Sequence, residues 1–454
     1  MTCDVLLIDT LSALRVEKGL ITPSYITAQL TGILEHENIS FEVLFALPQD
    51  DGSIDILKEN KIVSSSFAAA LTDISPRMVF FFHDPELIHL VFSVHKQART
   101  ILPDAIFCAS SITACAQPQF YYDRGFDYVC GQDIFNSLPT LAKKISQGDR
   151  PAREICTAPR RYTDLNHFPL VSKKFFNQVT PQWCFPNGQV EPFGLILGSL
   201  GCTGGCAHCP NSSFWGTTWT PMSAERIFDE IKLQRDILNV NTFCLGDINF
   251  LPNNAVPSPT NGVHPYGAAR LRKLDSLLDG YAPEIRFISL IRPDTIMKLF
   301  QFYPELLEIY LKRTSSCFLG FESFNPAVLT GLDKKINREM LLAAAKILEE
   351  REITFVASFL VGSPWETHET LAETESFIME ELPSSTIPLL NIMTPFPGTN
   401  FYSHMHQQGL VTESDLTRFN GQHMLLKHPV FKPGELEEKI QQFYFTFFTE
   451  RYTG

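Results

Sequence analysis

The chain has 454 residues, 44% of them hydrophobic and 19% charged, the balance of a globular protein of two or three units rather than a disordered or fibrous one. Thirty-seven basic against fifty acidic side chains give a formal charge of −13, which repels a phosphate backbone and excludes nucleic acid as an expected partner. No apolar run reaches the ~18 residues of a membrane span, and the opening MTCDVLLIDT has no basic leader before a long apolar core, so a cytoplasmic, non-membrane protein is expected.

From the start to about residue 150, short apolar runs alternate with amphipathic stretches of helical length. The runs are Val5–Ile8, Phe41–Ala46, Met78–Phe82, Ala105–Ala109 and Tyr128–Cys130. Continuous apolar strands separated by helices predict a doubly wound, Rossmann-like α/β domain over 1–150 with about five parallel strands, and a ligand at their carboxyl ends. Residues 151–190 lose periodicity and concentrate Pro, Arg and Asp, which reads as a linker or a strap.

A second alternation spans 191–400: strand 194–199, helix 222–239, strand 242–247, helix 266–280, strand 286–291, helix 294–311, strand 317–322, helix 337–351, strand 354–362, helix 368–381 and strand 388–393. Six βα-like units predict a partial (β/α)6 barrel rather than the closed eight-unit one. The segment 401–454 reads as helical, and its aromatic stripe, QQFYFTFFTERY, reads as packing rather than a partner surface.

Eleven cysteines are present. Cys3, Cys108, Cys115, Cys130, Cys156, Cys184, Cys244 and Cys317 are scattered singly, the pattern of buried thiols rather than a disulfide framework. Cys202, Cys206 and Cys209 fall within eight residues, in LGCTGGCAHCP after the first strand of the second alternation. Gly201, Gly204 and Gly205 are expected to let the backbone turn tightly there. The three thiolates point to a [4Fe–4S] cluster with one iron left open. A zinc site with His208 as fourth ligand is the competing reading; there is no second Cys-x2-Cys pair, and His208 sits between two cysteines on a tight loop.

This Cys-x3-Cys-x2-Cys loop resembles the signature of radical S-adenosylmethionine (SAM) enzymes, and the flanking segments resemble their cobalamin (B12)-binding branch. Those segments are GDINF at 246–250, FLGFES at 318–323, SFLVGSPWET at 358–367 and TPFPGTNFY at 394–402, in the family's order; the first 150 residues resemble its B12-binding domain. Three departures stand out. His208 replaces the usual aromatic before the third cysteine. No Asp-x-His-x-x-Gly motif surrounds His36, His83, His89 or His95. Ser110-Ser111 occupies the place of a glycine pair.

The resemblance implies that the open iron chelates SAM, that the C–S bond is cleaved reductively to a 5′-deoxyadenosyl radical, and that cobalamin relays a methyl group to an unactivated carbon of a small molecule or peptide. It also implies an electron donor such as flavodoxin or ferredoxin. A radical SAM oxidoreductase, cyclase or rearrangement enzyme without methyl transfer is the alternative, and a non-catalytic cobalamin or redox sensor a second. By the same resemblance Gly362 and Met393 line the adenine, Glu322 and Ser323 approach the ribose or methionine moiety, Arg292 pairs with the SAM carboxylate, and Asp247 and Asn249 contact SAM or substrate. The bland readings are a salt bridge for Glu322, a plain strand-end arginine for Arg292, loop capping for Asp247 and Asn249, and packing for Trp215 and Trp365.

Overall fold

The structure, a computed structural model, describes residues 3–64, 66–151, 162, 164–184, 189–251 and 267–452. Much of the predicted strap, with Cys156, lies outside them. The chain divides into two compact units, Met1–Ser199 with Thr220–Gly246, and Leu200–Trp219 with Asp247–Gly454.

In the first unit, strands β1 (Val5–Thr10), β2 (Phe41–Pro48), β3 (Ile54–Lys58), β4 (Lys61–Val63), β5 (Met78–Phe82), β6 (Ile106–Ser110) and β7 (Tyr128–Val129) stand in the order β4-β3-β2-β1-β5-β6-β7. The five apolar runs read from the sequence are β1, β2, β5, β6 and β7, all parallel. β1, β5 and β6 are buried along their whole length, as strands covered on both faces must be. Sequence reasoning missed β3 and β4, an antiparallel hairpin on the β2 edge. Its two-residue turn uses Glu59 and Asn60, both at positive φ, without the glycine that would signal it. The strand order reverses between β1 and β5, the switch point at whose carboxyl ends such sheets place their ligands.

The helix Tyr25–His36 starts where Ser24 accepts hydrogen bonds from the Ile26 and Thr27 amides, at 3.2 and 3.3 Å. The described part of the strap packs on it. Gln29 Nε2 donates to the Pro169 carbonyl (2.8 Å), and the Ser172 amide to Thr31 Oγ1 (3.2 Å).

The remaining strands are β8 (Gln182–Cys184), β9 (Val190–Pro192), β10 (Gly194–Ile196), β11 (Ser199–Leu200), β12 (Thr220–Pro221), β13 (Thr242–Leu245), β14 (Arg286–Ile291), β15 (Thr314–Glu322), β16 (Thr354–Val361) and β17 (Thr386–Ile392). Six of them form one sheet in sequence order, β10-β13-β14-β15-β16-β17, as consecutive βα units require, with β10 and β17 at its two edges. The edge strand β10 is satisfied by Gln234, which accepts from the Leu195 amide (2.7 Å) and donates to its carbonyl (2.9 Å).

The helix predicted over 294–311 is two helices, Pro293–Phe302 and Pro304–Arg313. Pro304 lacks the N–H that would continue the first and fits the opening turn of the second. Among the described residues, no helix is long and apolar enough to cross a membrane.

Candidate metal and cofactor site

The cysteine loop follows β11. Gly201 (φ 81°) and Gly205 (φ 61°) take the left-handed conformation expected of them; Gly204 does not. Gly204 instead marks where groups of the site meet. A Cβ there would lie 3.4 Å from Cys202 Sγ, 3.6 Å from Arg292 Nη1 and 3.8 Å from Cys206 Sγ, so two of the thiols and the guanidinium gather around one point. The Gly204 amide donates to Cys202 Sγ at 3.4 Å, and the Cys209 amide closes the turn onto the Cys206 carbonyl at 3.1 Å. Cys209 then caps the helix Pro210–Trp215, which has proline at its first position. The loop is held from outside as well: the Cys202 amide donates to the Gly216 carbonyl (3.1 Å) and the Phe401 amide to the Ala207 carbonyl (3.0 Å).

Burial pushes the Cys202 and Cys209 thiols up, as apolar surroundings do to an unligated thiol. A metal ligand must shed that proton. Among the described residues no three His, Cys, Asp or Glu side chains are drawn together as ligands of a single metal ion. In a cubane each thiolate binds a different iron, so its ligands stand farther apart than those of one tetrahedral ion.

Around this loop the second unit gathers a compact charged group. Arg292, after the last residue of β14, donates through Nε to Asp294 Oδ1 (2.9 Å), through Nη2 to the Lys334 carbonyl (2.9 Å) and through Nη1 to Cys206 Sγ (3.6 Å). Glu322 ends β15 at positive φ (63°), beside a register shift at Gly320. A non-glycine residue held there stores backbone strain, a feature that clusters at functional sites. Its carboxylate is 8% exposed and pairs with Lys334 Nζ, itself 6% exposed. Burial alone would raise the Glu322 carboxyl, but the Lys334 ammonium, helped by the Arg292 guanidinium, holds it below the usual carboxylate range. Gly320 makes room for the pair, since a Cβ there would sit 2.7 Å from Glu322 Oε1 and 2.9 Å from Lys334 Nζ.

Burial also drives His208 down to about 4, so its imidazole is neutral, and its Nδ1 has no hydrogen-bond partner. Sequence reasoning did not find Lys334. In GLDKKIN it reads as one of two solvated lysines, and only the fold returns it to Glu322.

The other expected residues divide between paired and open. Asp247 is fully buried; Oδ1 takes Arg270 Nη2 at 2.8 Å and Oδ2 takes nothing. Asn249 is 2% exposed, with both amide atoms unpartnered. Ser323 accepts from the Asn325 amide at 3.1 Å, a turn contact. Gly362 (φ 79°) donates its amide to Glu366, whose other oxygen and the neighbouring Ser363 hydroxyl are buried without partners. The Met393 side chain packs among Val328, Leu332, Phe401, Met405 and Leu426, so this residue can offer a ligand only its main chain. Trp215 packs edge-on against Phe214, centroids 4.6 Å apart, and Trp365 covers Gly331.

Unpaired polar atoms cost free energy when buried. Asp247, Asn249, Ser363 and Glu366 follow the carboxyl ends of β13 and β16, where βα sheets place their ligands, so the donor and acceptor set fits a polar cofactor. The first unit has a counterpart. Thr10 Oγ1 ends β1, Ser110 Oγ ends β6 and Thr113 Oγ1 follows; all three are buried without partners, a set that fits a ligand rich in amide and phosphate groups such as cobalamin. His83, at the end of β5, has both ring nitrogens engaged, with the Asp84 carbonyl and the Tyr121 hydroxyl, each at 3.0 Å.

Residues 196–378 match the Radical SAM superfamily. The chain is 25% identical over 265 residues to the bacteriochlorophyllide d C-12(1)-methyltransferase of Chlorobaculum tepidum, covering 57% of this chain and 51% of that protein. It is 26% identical over 260 residues to the hopanoid C-3 methylase of Methylococcus capsulatus, covering 57% and 45%. The chain thus matches about half the length of these curated relatives. Among solved structures it resembles the radical SAM methyltransferase TsrM of Kitasatospora setae with cobalamin and a [4Fe–4S] cluster bound, with TM-score 0.63, 18% identity and coverage of 91% of this chain and 76% of that one. It resembles the cobalamin-dependent SAM radical enzyme OxsB with aqua-cobalamin and SAM bound with TM-score 0.66, 14% identity and coverage of 98% and 66%. Residues 196–378 thus match the Radical SAM superfamily, and the fold of the chain resembles those of TsrM and OxsB.

Proposed function

We propose that this chain is a radical SAM enzyme that cleaves SAM reductively at a [4Fe–4S] cluster held by Cys202, Cys206 and Cys209, and that, with cobalamin, it methylates an unactivated carbon of a small molecule or peptide. The observation that carries the reading is the cysteine loop itself, three thiols on one tight turn within a matched Radical SAM segment; the buried polar atoms without partners after β13 and β16 support it. When bound, the cluster supplies the electron that breaks the C–S bond of SAM and cobalamin supplies the methyl group.

In this reading the domains are 1–150 for cobalamin, 191–400 for the cluster and SAM, and 401–454 as a helical cover. Asn249 and the free oxygen of Asp247 bind polar groups of SAM. Glu322 and Ser323 face its ribose or methionine part, Lys334 keeps the Glu322 carboxylate ionised, and the main chain at Gly362 and Met393 lines the adenine. These residues orient SAM and keep water from it, which is the positioning contribution. Reduction calls for a low-potential donor of the flavodoxin or ferredoxin class.

Anoxically reconstituted protein given SAM, a strong reductant and cobalamin should contain iron and acid-labile sulfide and release both 5′-deoxyadenosine and S-adenosylhomocysteine. Deoxyadenosine alone would favour the oxidation, cyclisation or rearrangement reading, and neither product a sensor. Changing Cys206 to Ala should abolish cleavage. Zinc in place of iron and sulfide would refute the assignment.

A further inference from the structure

We propose that Arg292 is a positioning residue for the cluster itself, donating a charge-assisted hydrogen bond to the Cys206 sulfur that raises the cluster's reduction potential. The inference rests on the cluster reading above and goes beyond it, since the resemblance gives Arg292 to the SAM carboxylate.

The geometry points to sulfur for a simple reason of valence. Arginine has five N–H donors in a rigid plane. Nε is spent on Asp294 Oδ1 and Nη2 on the Lys334 carbonyl, both at 2.9 Å, and these two bonds on separate elements fix the plane. Nη1 then lies 3.6 Å from Cys206 Sγ. The backbone is fixed too, because Arg292 precedes Pro293, which disfavours the helical conformation, and it adopts φ −89°, ψ 143°. Gly204 leaves the approach open, with only van der Waals contact available to a Cβ at 3.6 Å from Nη1. The side chain of Arg292 is 16% exposed, so water screens this charge poorly.

Hydrogen bonds to cluster sulfurs and nearby positive charge are among the levers that set iron–sulfur potentials. Reduction takes the 2+ cluster to 1+ by one electron from an external low-potential donor, adding negative charge at the sulfurs. A fixed guanidinium stabilises that state more than the oxidised one, so its removal makes reduction harder.

The test is an EPR-monitored redox titration of the anoxically reconstituted full-length protein with dithionite, without SAM, beside equilibrium binding of SAM. For Arg292→Gln the expected result is a reduced fraction about tenfold lower at a fixed potential, or about 59 mV more negative for one electron, with SAM affinity within about threefold of the parent. Arg292→Lys keeps the charge but cannot make all three bonds, so it should load iron and sulfide like the parent and shift by a smaller amount in the same direction. An unchanged midpoint in both variants, with SAM binding weakened tenfold or more, would assign Arg292 to the SAM carboxylate and overturn the proposal. A parent protein with no reducible cluster overturns the cluster reading and this inference together, whereas a normal parent titration with unshifted variants sinks this inference alone.

Discussion

Glu322 and Lys334 show how far one residue's role depends on a partner distant in sequence. A carboxylate ending an apolar strand needs a counter-charge, and that much follows from the sequence. Which cation supplies it does not, since Lys334 lies twelve residues on and beyond the helix Pro326–Gly331. Lys334→Met leaves the Glu322 charge buried and unpaired and should destabilise the protein by about 3–5 kcal/mol in urea unfolding. The double variant Glu322→Gln/Lys334→Met should lose less than the sum of the singles, which a double-mutant cycle would read. Because Glu322 titrates below its ordinary value in the folded state, the pair's contribution is present above pH ~4.5 and is lost as pH falls through the lower folded value. Glu366 behaves in the opposite sense. Burial raises its carboxyl from 4.5 to about 7, so the folded state holds a proton that the unfolded state gives up. Stability should therefore fall as pH climbs from about 4.5 to 7, and Glu366→Gln should flatten that slope in denaturant midpoints measured across the range.

At the scale of elements, the longer strands were legible because buried strands read as continuous apolar runs; the helix caps went unread, and the structure sets them at Ser24, Ser223, Asn325, Asn337, Thr367 and Thr399, whose side chains accept from the first-turn amides. The hairpin β3–β4 was not legible, since neither its turn residues nor its exposed second strand carry a hydrophobic pattern. The C-terminal segment read as packing helix, but its tie to the turn after β16 lay hidden. His428 Nδ1 accepts from the Val430 and Phe431 amides, at 3.1 and 3.2 Å, which leaves Nε2 protonated to donate to the Ser363 carbonyl at 2.7 Å. Leu436 reaches the same turn, where a Cβ on Gly362 would fall 2.4 Å from its Cδ1. Gly362→Ala should cost about 2–3 kcal/mol through left-handed strain plus this clash, with partial recovery in Gly362→Ala/Leu436→Ala. His428→Ala should open residues 421–434 to limited proteolysis while leaving the thermal unfolding of β15 and its neighbours cooperative; protection equal to the parent would deny His428 this role.

For the molecule as a whole, the first unit carries the more open question, because no Asp-x-His-x-x-Gly motif offers cobalt a lower ligand. His83 is the histidine at the carboxyl edge of its sheet, and both ring nitrogens serve the fold. His83→Ala should thus leave cobalamin stoichiometry unchanged after refolding with hydroxocobalamin, whereas Thr10→Val/Ser110→Val should lower it; loss of cobalamin in the histidine variant would make His83 a ligand after all. By itself the amino-acid sequence determined the two βα alternations, the clustered cysteines and the residue types at the strand ends, because period, spacing and turn chemistry are local properties of a chain. The meeting of Arg292 with Cys206, of Lys334 with Glu322 and of His428 with Ser363 was decided by tertiary structure alone. Arg292 and Cys206 come from separate βα units, His428 comes from the C-terminal segment, and Lys334 folds back along the connection after β15; no local pattern encodes which group such a segment will meet.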